Sequence, residues 1–179
     1  MKLILKEKML SILDSFNVYD EKDNIYFKVK GKIALTHKQA IYDAKGNELG
    51  VVKEKIIDIL PTFLLYKDGE KVGECKKKIT LISPKFAIDF NGWDIKGNWL
   101  EWDYSIVDKA GKTVAVISKK LLRLTDTYVI DVKDESDALD ALMVVIAIDA
   151  EKCRRETNEN KKEASKLKKE AAKVKAGKR

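Results

Sequence analysis

Hydrophobic residues along this chain fall into two patterns. Through most of its length they come in short apolar or alternating runs broken by Asp, Asn and Gly, which is the spacing of strands and tight turns. The run Ala138 to Ala150, ALDALMVVIAIDA, differs: it is apolar almost all the way round, interrupted only by Asp140 and Asp149. A helix without a polar face has to be enclosed. This stretch rises only about 20 Å, whereas roughly 20 apolar residues are needed to cross a bilayer core, so the expected enclosure is protein. The pattern predicts a mainly β protein, a sheet curled around one C-terminal α-helix.

Three stretches superimpose as a weak internal repeat: YDAKGNELGVVKEKI from Tyr42, YKDGEKVGECKKKI from Tyr66 and VDKAGKTVAVISKKL from Val107. Each turns through Asp and Gly (Asp43/Gly46, Asp68/Gly69, Asp108/Gly111) and runs on as an alternating strand ending in lysines, the signature of a hairpin. A related turn lies at Asp20 to Asn24, and Asn91-Gly92 and Gly97-Asn98 mark two more. The last two bound strands at Phe86 to Phe90, Trp93 to Lys96 and Leu100 to Val107. One parity of the repeats carries Gly50, Val52 and Ile56, then Gly73, Cys75 and Ile79, then Ala115, Ile117 and Leu121. If that face looks inward, its small residues sit where a central helix crowds the wall. The alternative is that the glycines mark bulges. The opposite parity carries Lys53, Lys55, Lys76, Lys78 and Lys120, either a basic stripe or a solvated outer face.

The first strand is expected at Leu3 to Leu5, in an N-terminus whose Lys6, Glu7 and Lys8 break any signal-peptide core. The helix is expected at about 137–153, capped by the Lys133 to Asp137 run. That places one domain at residues 1–154 and a Lys/Glu/Ala-rich tail at 155–179, a frayed helix or disordered.

Charge is unevenly spread. Residues 151–179 hold 12 basic and 5 acidic side chains, a net of +7, which leaves 36 − 12 = 24 basic and 29 − 5 = 24 acidic in residues 1–150. The body is neutral, so the overall basicity is no argument for a nucleic-acid partner. Cys75 and Cys153 stand far apart with no second thiol at zinc-ligand spacing, which fits a reducing cytoplasm.

Candidate chemistry is sparse. His37 is the sole histidine and is expected in a turn or at the surface; no metal-ligand set and no phosphate-binding glycine loop occurs, so no cofactor is expected. The segment DFNGWDIKGNWLEWD sets Asp89, Asp94, Glu101 and Asp103 among Trp93, Trp99 and Trp102. Carboxylates beside indoles suit glycoside cleavage, yet the acids also serve as hairpin ends. The tryptophans are candidates for a ligand groove.

The stretches FNVYDEKDN from Phe16, FKVKGK from Phe27, YDAKGNEL from Tyr42 followed by Lys53-x-Lys55, IKGNW from Ile95 and DKAGKTVAVISKK from Asp108 together resemble the LURP-one-related family. That family belongs to the tubby C-terminal-like superfamily, with the phospholipid scramblase domains. The resemblance covers about residues 1–150. It implies a closed antiparallel barrel of about twelve strands around a buried hydrophobic helix. It also implies a non-enzymatic binding module for anionic, phosphoinositide-like membrane lipid or a protein partner, since tubby proteins bind such head groups through basic residues. The lysines available for that role are Lys76, Lys77, Lys78, Lys161, Lys162, Lys166, Lys168 and Lys169. The expected setting is cytoplasmic, at most peripheral at a membrane, with no transmembrane segment. The alternatives are a scaffold with no small ligand, or an enzyme acting at residues 89–103.

Overall fold

The computed structural model describes residues 1–6, 15–32, 34, 36–56, 58, 60–78, 85–121 and 126–176; the side chains of 121, 126 and 169–176 are outside that set. The strands are β1 (Lys2–Leu5), β2 (Ser15–Tyr19), β3 (Ile25–Gly31), β4 (Lys38–Asp43), β5 (Glu48–Glu54) and β6 (Thr62–Lys67). They continue as β7 (Glu70–Lys78), β8 (Lys85–Asp89), β9 (Asp94–Asn98), β10 (Asp103–Val107), β11 (Thr113–Leu121) and β12 (Asp126–Val132). All twelve lie in one sheet, in the order β8-β7-β6-β5-β4-β3-β2-β1-β12-β11-β10-β9. Each paired neighbour is antiparallel. The outermost strands, β8 and β9, are consecutive in the chain, so the sheet curls until its edges approach. The result is a nearly closed barrel, the curled sheet that the sequence pattern predicts and the twelve-stranded barrel that the resemblance implies.

The hairpins follow from local chemistry. Asp20, Asp43 and Asp108 each accept a backbone N–H four residues on, from Asn24, Asn47 and Lys112, at 2.8–2.9 Å. Each such turn contains one residue of positive φ, Asp23, Gly46 or Gly111, a conformation that glycine or Asp tolerates best. The ladder then slips by one residue beyond the turn, between Val18 and Tyr19, Ile41 and Tyr42, and Ile106 and Val107. Such bulges increase the local twist, which helps close the sheet. Asp68-Gly69 makes a tighter two-residue turn with both φ angles positive, followed by the same slip in β6 and β7.

An eight-stranded barrel is about as wide as its own side chains can fill, so twelve strands need something in the middle. The helix α1 (Ala138–Ala176) supplies it. Asp134 caps the 3₁₀ turn that leads into it, its carboxylate accepting from Ser136 N–H at 3.0 Å. Ala141 to Ile148 are buried on every face, against Leu3, Ile41, Phe63, Leu65, Ile106, Ile117 and Ile130 from the wall. The helix then continues without a break through 39 residues, about 58 Å, and is exposed from Glu156 to Lys168. No helix among the described residues is long and apolar enough to cross a membrane.

Both readings of the repeat glycines hold at Gly50. It lies at a bulge, and a Cβ there would stand 3.2 Å from Met143 Sδ on α1. At Gly73 the crowding comes from Phe90 and the Asp89 carbonyl instead. Val52, Cys75, Ala115 and Ile117 face the core. Ile56 does not: β5 ends at Glu54, alternation ends with it, and Ile56 is 60% exposed. Ile79 and the Leu121 side chain lie outside the described residues. Gly97 and Asn98 belong to β9 rather than to a turn; the chain reverses through a 3₁₀ turn at Trp99–Glu101, with Trp102 left-handed at φ 59°.

Candidate functional site

Antiparallel alternation gives the barrel two unlike ends. At one end lie the Asp/Gly hairpin tips, and there Lys67 donates to Asp140 Oδ1 at 2.8 Å and Asn91 to Oδ2 at 2.7 Å, fixing the start of α1. At the other end β5, β7, β9 and β11 finish and β8 begins, and there α1 leaves the barrel. This second end, the mouth, collects cationic side chains.

Glu151 anchors the exit. It is fully buried, yet it accepts from Lys77 Nζ at 2.7 Å and from Arg154 Nε at 3.1 Å. A charge so enclosed persists only with partners, and two cations supply them. The next residue, Lys152, donates to the Leu100 carbonyl and lies 4.4 Å over the Trp102 ring. Burial pushes its ammonium down to about 8, against the pull of Asp149 and Glu156. Asp149 itself is buried, with one carboxyl oxygen unpartnered, and burial drives its acidity well below that of an ordinary Asp. Tyr104 has its hydroxyl buried without a partner as well.

His37 belongs to this mouth: it lies in the connection between β3 and β4, as the turn reading expects, but it is not a surface residue, its side chain being only 11% exposed. The Glu54 amide donates to the His37 carbonyl at 2.8 Å, and that crossing brings His37 Nδ1 within 2.8 Å of Glu54 Oε2. The hydrogen bond to His37 holds the Glu54 carboxyl below its ordinary range despite desolvation.

Of the sequence-selected lysines, Lys76 and Lys78 are exposed on the outer wall at the mouth, while Lys77 turns inward to Glu151. Lys85, Lys119 and Lys120 add exposed side chains at the same end, with Glu101 and Asp103 among them. Lys55 is also there, 3.2 Å from Asp58. Lys161, Lys162, Lys166 and Lys168 line the emergent helix and are exposed; the Lys169 side chain lies outside the described residues. The strand lysines and the helix lysines are thereby brought to one end of the molecule.

The tryptophans are 7%, 4% and 6% exposed at Trp93, Trp99 and Trp102. Trp93 packs edge to face on Phe90, Trp99 on Phe86, and Trp102 tilts over Tyr128. Trp99 also lines a cavity beside β9. The four acids nearby are exposed: Asp89 and Asp94 flank the hairpin tip, whereas Glu101 and Asp103 lie at the mouth. Asp94 pairs with Val107 and Asp103 with Asn98, which puts them at opposite ends of β9, about 13 Å apart along the strand. Two carboxylates flanking a glycosidic bond stand about 5–9.5 Å apart. Among the described residues no three His, Cys, Asp or Glu side chains cluster as a metal site.

Sequence reasoning missed Asp149, Glu151 and Lys152 as members of a site. The available signal was charge placed directly against the apolar run, where a helix still inside the barrel has to neutralise it. A model of the LURP-one-related family matches residues 1–149. No curated protein and no solved structure matches the chain.

Proposed function

The chain belongs to the LURP-one-related family, and on that premise we propose that it is a non-enzymatic binding module that sets its cationic mouth on an anionic membrane surface. The observation that carries this reading is the convergence of Lys76, Lys78, Lys85 and Lys120 with the basic helix at one end of a barrel whose body is neutral. Each Lys or Arg near an anionic leaflet contributes about 1 kcal/mol, so a handful acting together localises the chain without a shaped pocket. The attachment is peripheral. Ile56, exposed beside Lys55, offers an apolar contact at the interface, where the apolar face of a bound protein is buried among head groups. Glu101 and Asp103 at the same end weaken the field and are part of the balance being tested.

Sedimentation with vesicles tests the reading. Binding is expected to rise with the anionic lipid fraction and to fall steeply between low and physiological salt, because exposed charges are screened over about 8–10 Å there. Removing residues 156–179, or replacing Lys76 and Lys78 by Gln, weakens it. Equal binding to neutral and acidic vesicles, insensitive to salt, overturns it; capture of the emergent helix alone by a protein, with no vesicle binding, favours a scaffold instead.

A further inference from the structure

Beyond the mouth, α1 carries a pattern of its own. Ala164, Leu167, Ala171 and Val174 recur at spacings of three and four residues, the a and d positions of a heptad, and Thr157 and Asn160 hold the same positions one heptad nearer the barrel. The helix is exposed from Glu156 to Lys168, and Leu167 keeps 61% of its surface in water. In this register the g positions are Glu156, Glu163 and Glu170, and the e positions are Lys161, Lys168 and Lys175. Every g residue is acidic and every e residue basic. Within one helix the charges match less well. At i,i+4 spacing Glu159 stands with Glu163, Lys162 with Lys166 and Lys169 with Lys173, against the opposite pair Lys166 and Glu170, while at i,i+3 spacing like and opposite pairs are mixed. The charge pattern thus suits pairing between helices better than support within one.

We infer that the emergent helices of two copies of this chain pair in parallel as a two-stranded coiled coil over residues 161–176, with Ala164, Leu167, Ala171 and Val174 along the contact. Charge sets the orientation. In a parallel pair each g position faces the e position five residues on in the other helix, so Glu163 faces the partner's Lys168 and Glu170 the partner's Lys175, with Glu156 facing the partner's Lys161 nearer the barrels. An antiparallel pair sets g against g and e against e, acid on acid and base on base. Two twelve-stranded barrels side by side hold their axes farther apart than the 8–10 Å of packed helices, so the helices have to diverge toward the mouths. The residues between mouth and contact suit that divergence. Thr157 and Asn160 put polar side chains at a and d, Thr157, Asn158 and Asn160 are weak helix formers, and Thr157 Oγ1 donates to the Cys153 carbonyl at 2.9 Å, a bond that often bends helices. Alanine at both a positions makes the contact thin and the dimer weak, with a dissociation constant on the order of 10–100 µM. Lys162, Lys166, Lys169 and Lys173 fall at c and f, on the outer face, so the pairing neither uses nor requires a membrane.

The test is analytical ultracentrifugation of the full chain without lipid, from about 1 µM to about 500 µM, a range that brackets the expected constant. The mass is expected to rise from monomer to dimer across it. Leu167→Asp weakens the dimer at least about tenfold, and because Leu167 is exposed outside the barrel the variant keeps its fold, which circular dichroism checks. Two charge variants read the orientation. A chain with Glu163→Lys and Glu170→Lys and a chain with Lys168→Glu and Lys175→Glu each stay monomeric alone, and their equimolar mixture forms a heterodimer. Ala164→Cys places a thiol at an a position, and mild oxidation is expected to join two chains there; Cys75 and Cys153 are buried and do not compete. A monomer throughout the range, a trimer, a dimer that persists in Leu167→Asp or after removal of residues 156–179, charge variants that pair alone as well as the parent, or no disulfide at position 164 would each overturn the inference. None of these measurements includes a membrane, so their failure leaves the vesicle experiment to judge the mouth separately.

Discussion

Asp149 lies in the core with a carboxyl oxygen that meets no donor, and burial raises its pKa well above the ordinary 3.8. The folded protein therefore holds this proton at pH values where the unfolded chain has lost it, so stability declines as pH rises above 3.8 toward the folded value. Asp149→Asn removes that dependence. The variant is expected to match the parent near pH 4 and to exceed it by about 1–3 kcal/mol at pH 7, read from denaturant melts at both pH values. His37 works the opposite way. Its ring satisfies a Glu54 carboxylate that is mostly buried, so His37→Ala strands that charge and costs about 1–3 kcal/mol at neutral pH. Glu54 is held below its ordinary value, so its contribution is present above that value and is lost as pH falls through the depressed one. The loss caused by His37→Ala should accordingly shrink in acid, and a penalty independent of pH would assign His37 a packing role alone.

The wall and the helix are in close contact at Gly50, where a Cβ would stand 3.2 Å from Met143 Sδ and 3.1 Å from the Tyr66 carbonyl. Gly50→Ala is expected to cost about 1–3 kcal/mol by overpacking, and Met143→Ala to cost about 2–5 kcal/mol by leaving a cavity. The double variant should cost less than the sum, a coupling that thermal or denaturant unfolding measures and that additive losses would refute. This contact also marks how far the sequence could be read. The Asp/Gly turns, the alternating strands and the all-apolar helix were legible because turn chemistry and burial act locally, and Asp43, Asp68 and Asp108 sit where the repeats put them. The limits came where alternation stops or where partners are distant in the chain. Ile56 follows the last residue of β5, so parity no longer governs it. Gly97 reads as a turn residue, yet it is a strand residue with φ 110°, close against the Asp103 carbonyl and Tyr104. The pairing of Lys77 with Glu151 spans 74 residues and depends on the helix phase inside the barrel, which no local pattern specifies. Charge alone marks Lys76, Lys78 and the helix lysines in the sequence; that they converge on one end, with Lys85 beside them, requires the topology.

Taken whole, the molecule is a neutral barrel, plugged by a helix, with a cationic end. The emergent helix is exposed from Glu156 to Lys168, so truncation after residue 155 should leave the melting transition within about 0.5 kcal/mol of the parent while weakening vesicle binding. A marked loss of stability would place that helix in the fold. The proposed orientation can be read with labels at the two ends. Cys75 and Cys153 are buried, and burial pushes both thiols up to about 12, so they react slowly near neutral pH. Nitroxides introduced through Ile56→Cys at the mouth and Ala110→Cys at an opposite hairpin tip therefore report cleanly. On anionic vesicles, the label at 56 is predicted to lose access to a water-soluble quencher and gain it to oxygen, while the label at 110 stays in water. Immersion of the label at 110 instead, or no change at either, would contradict the account.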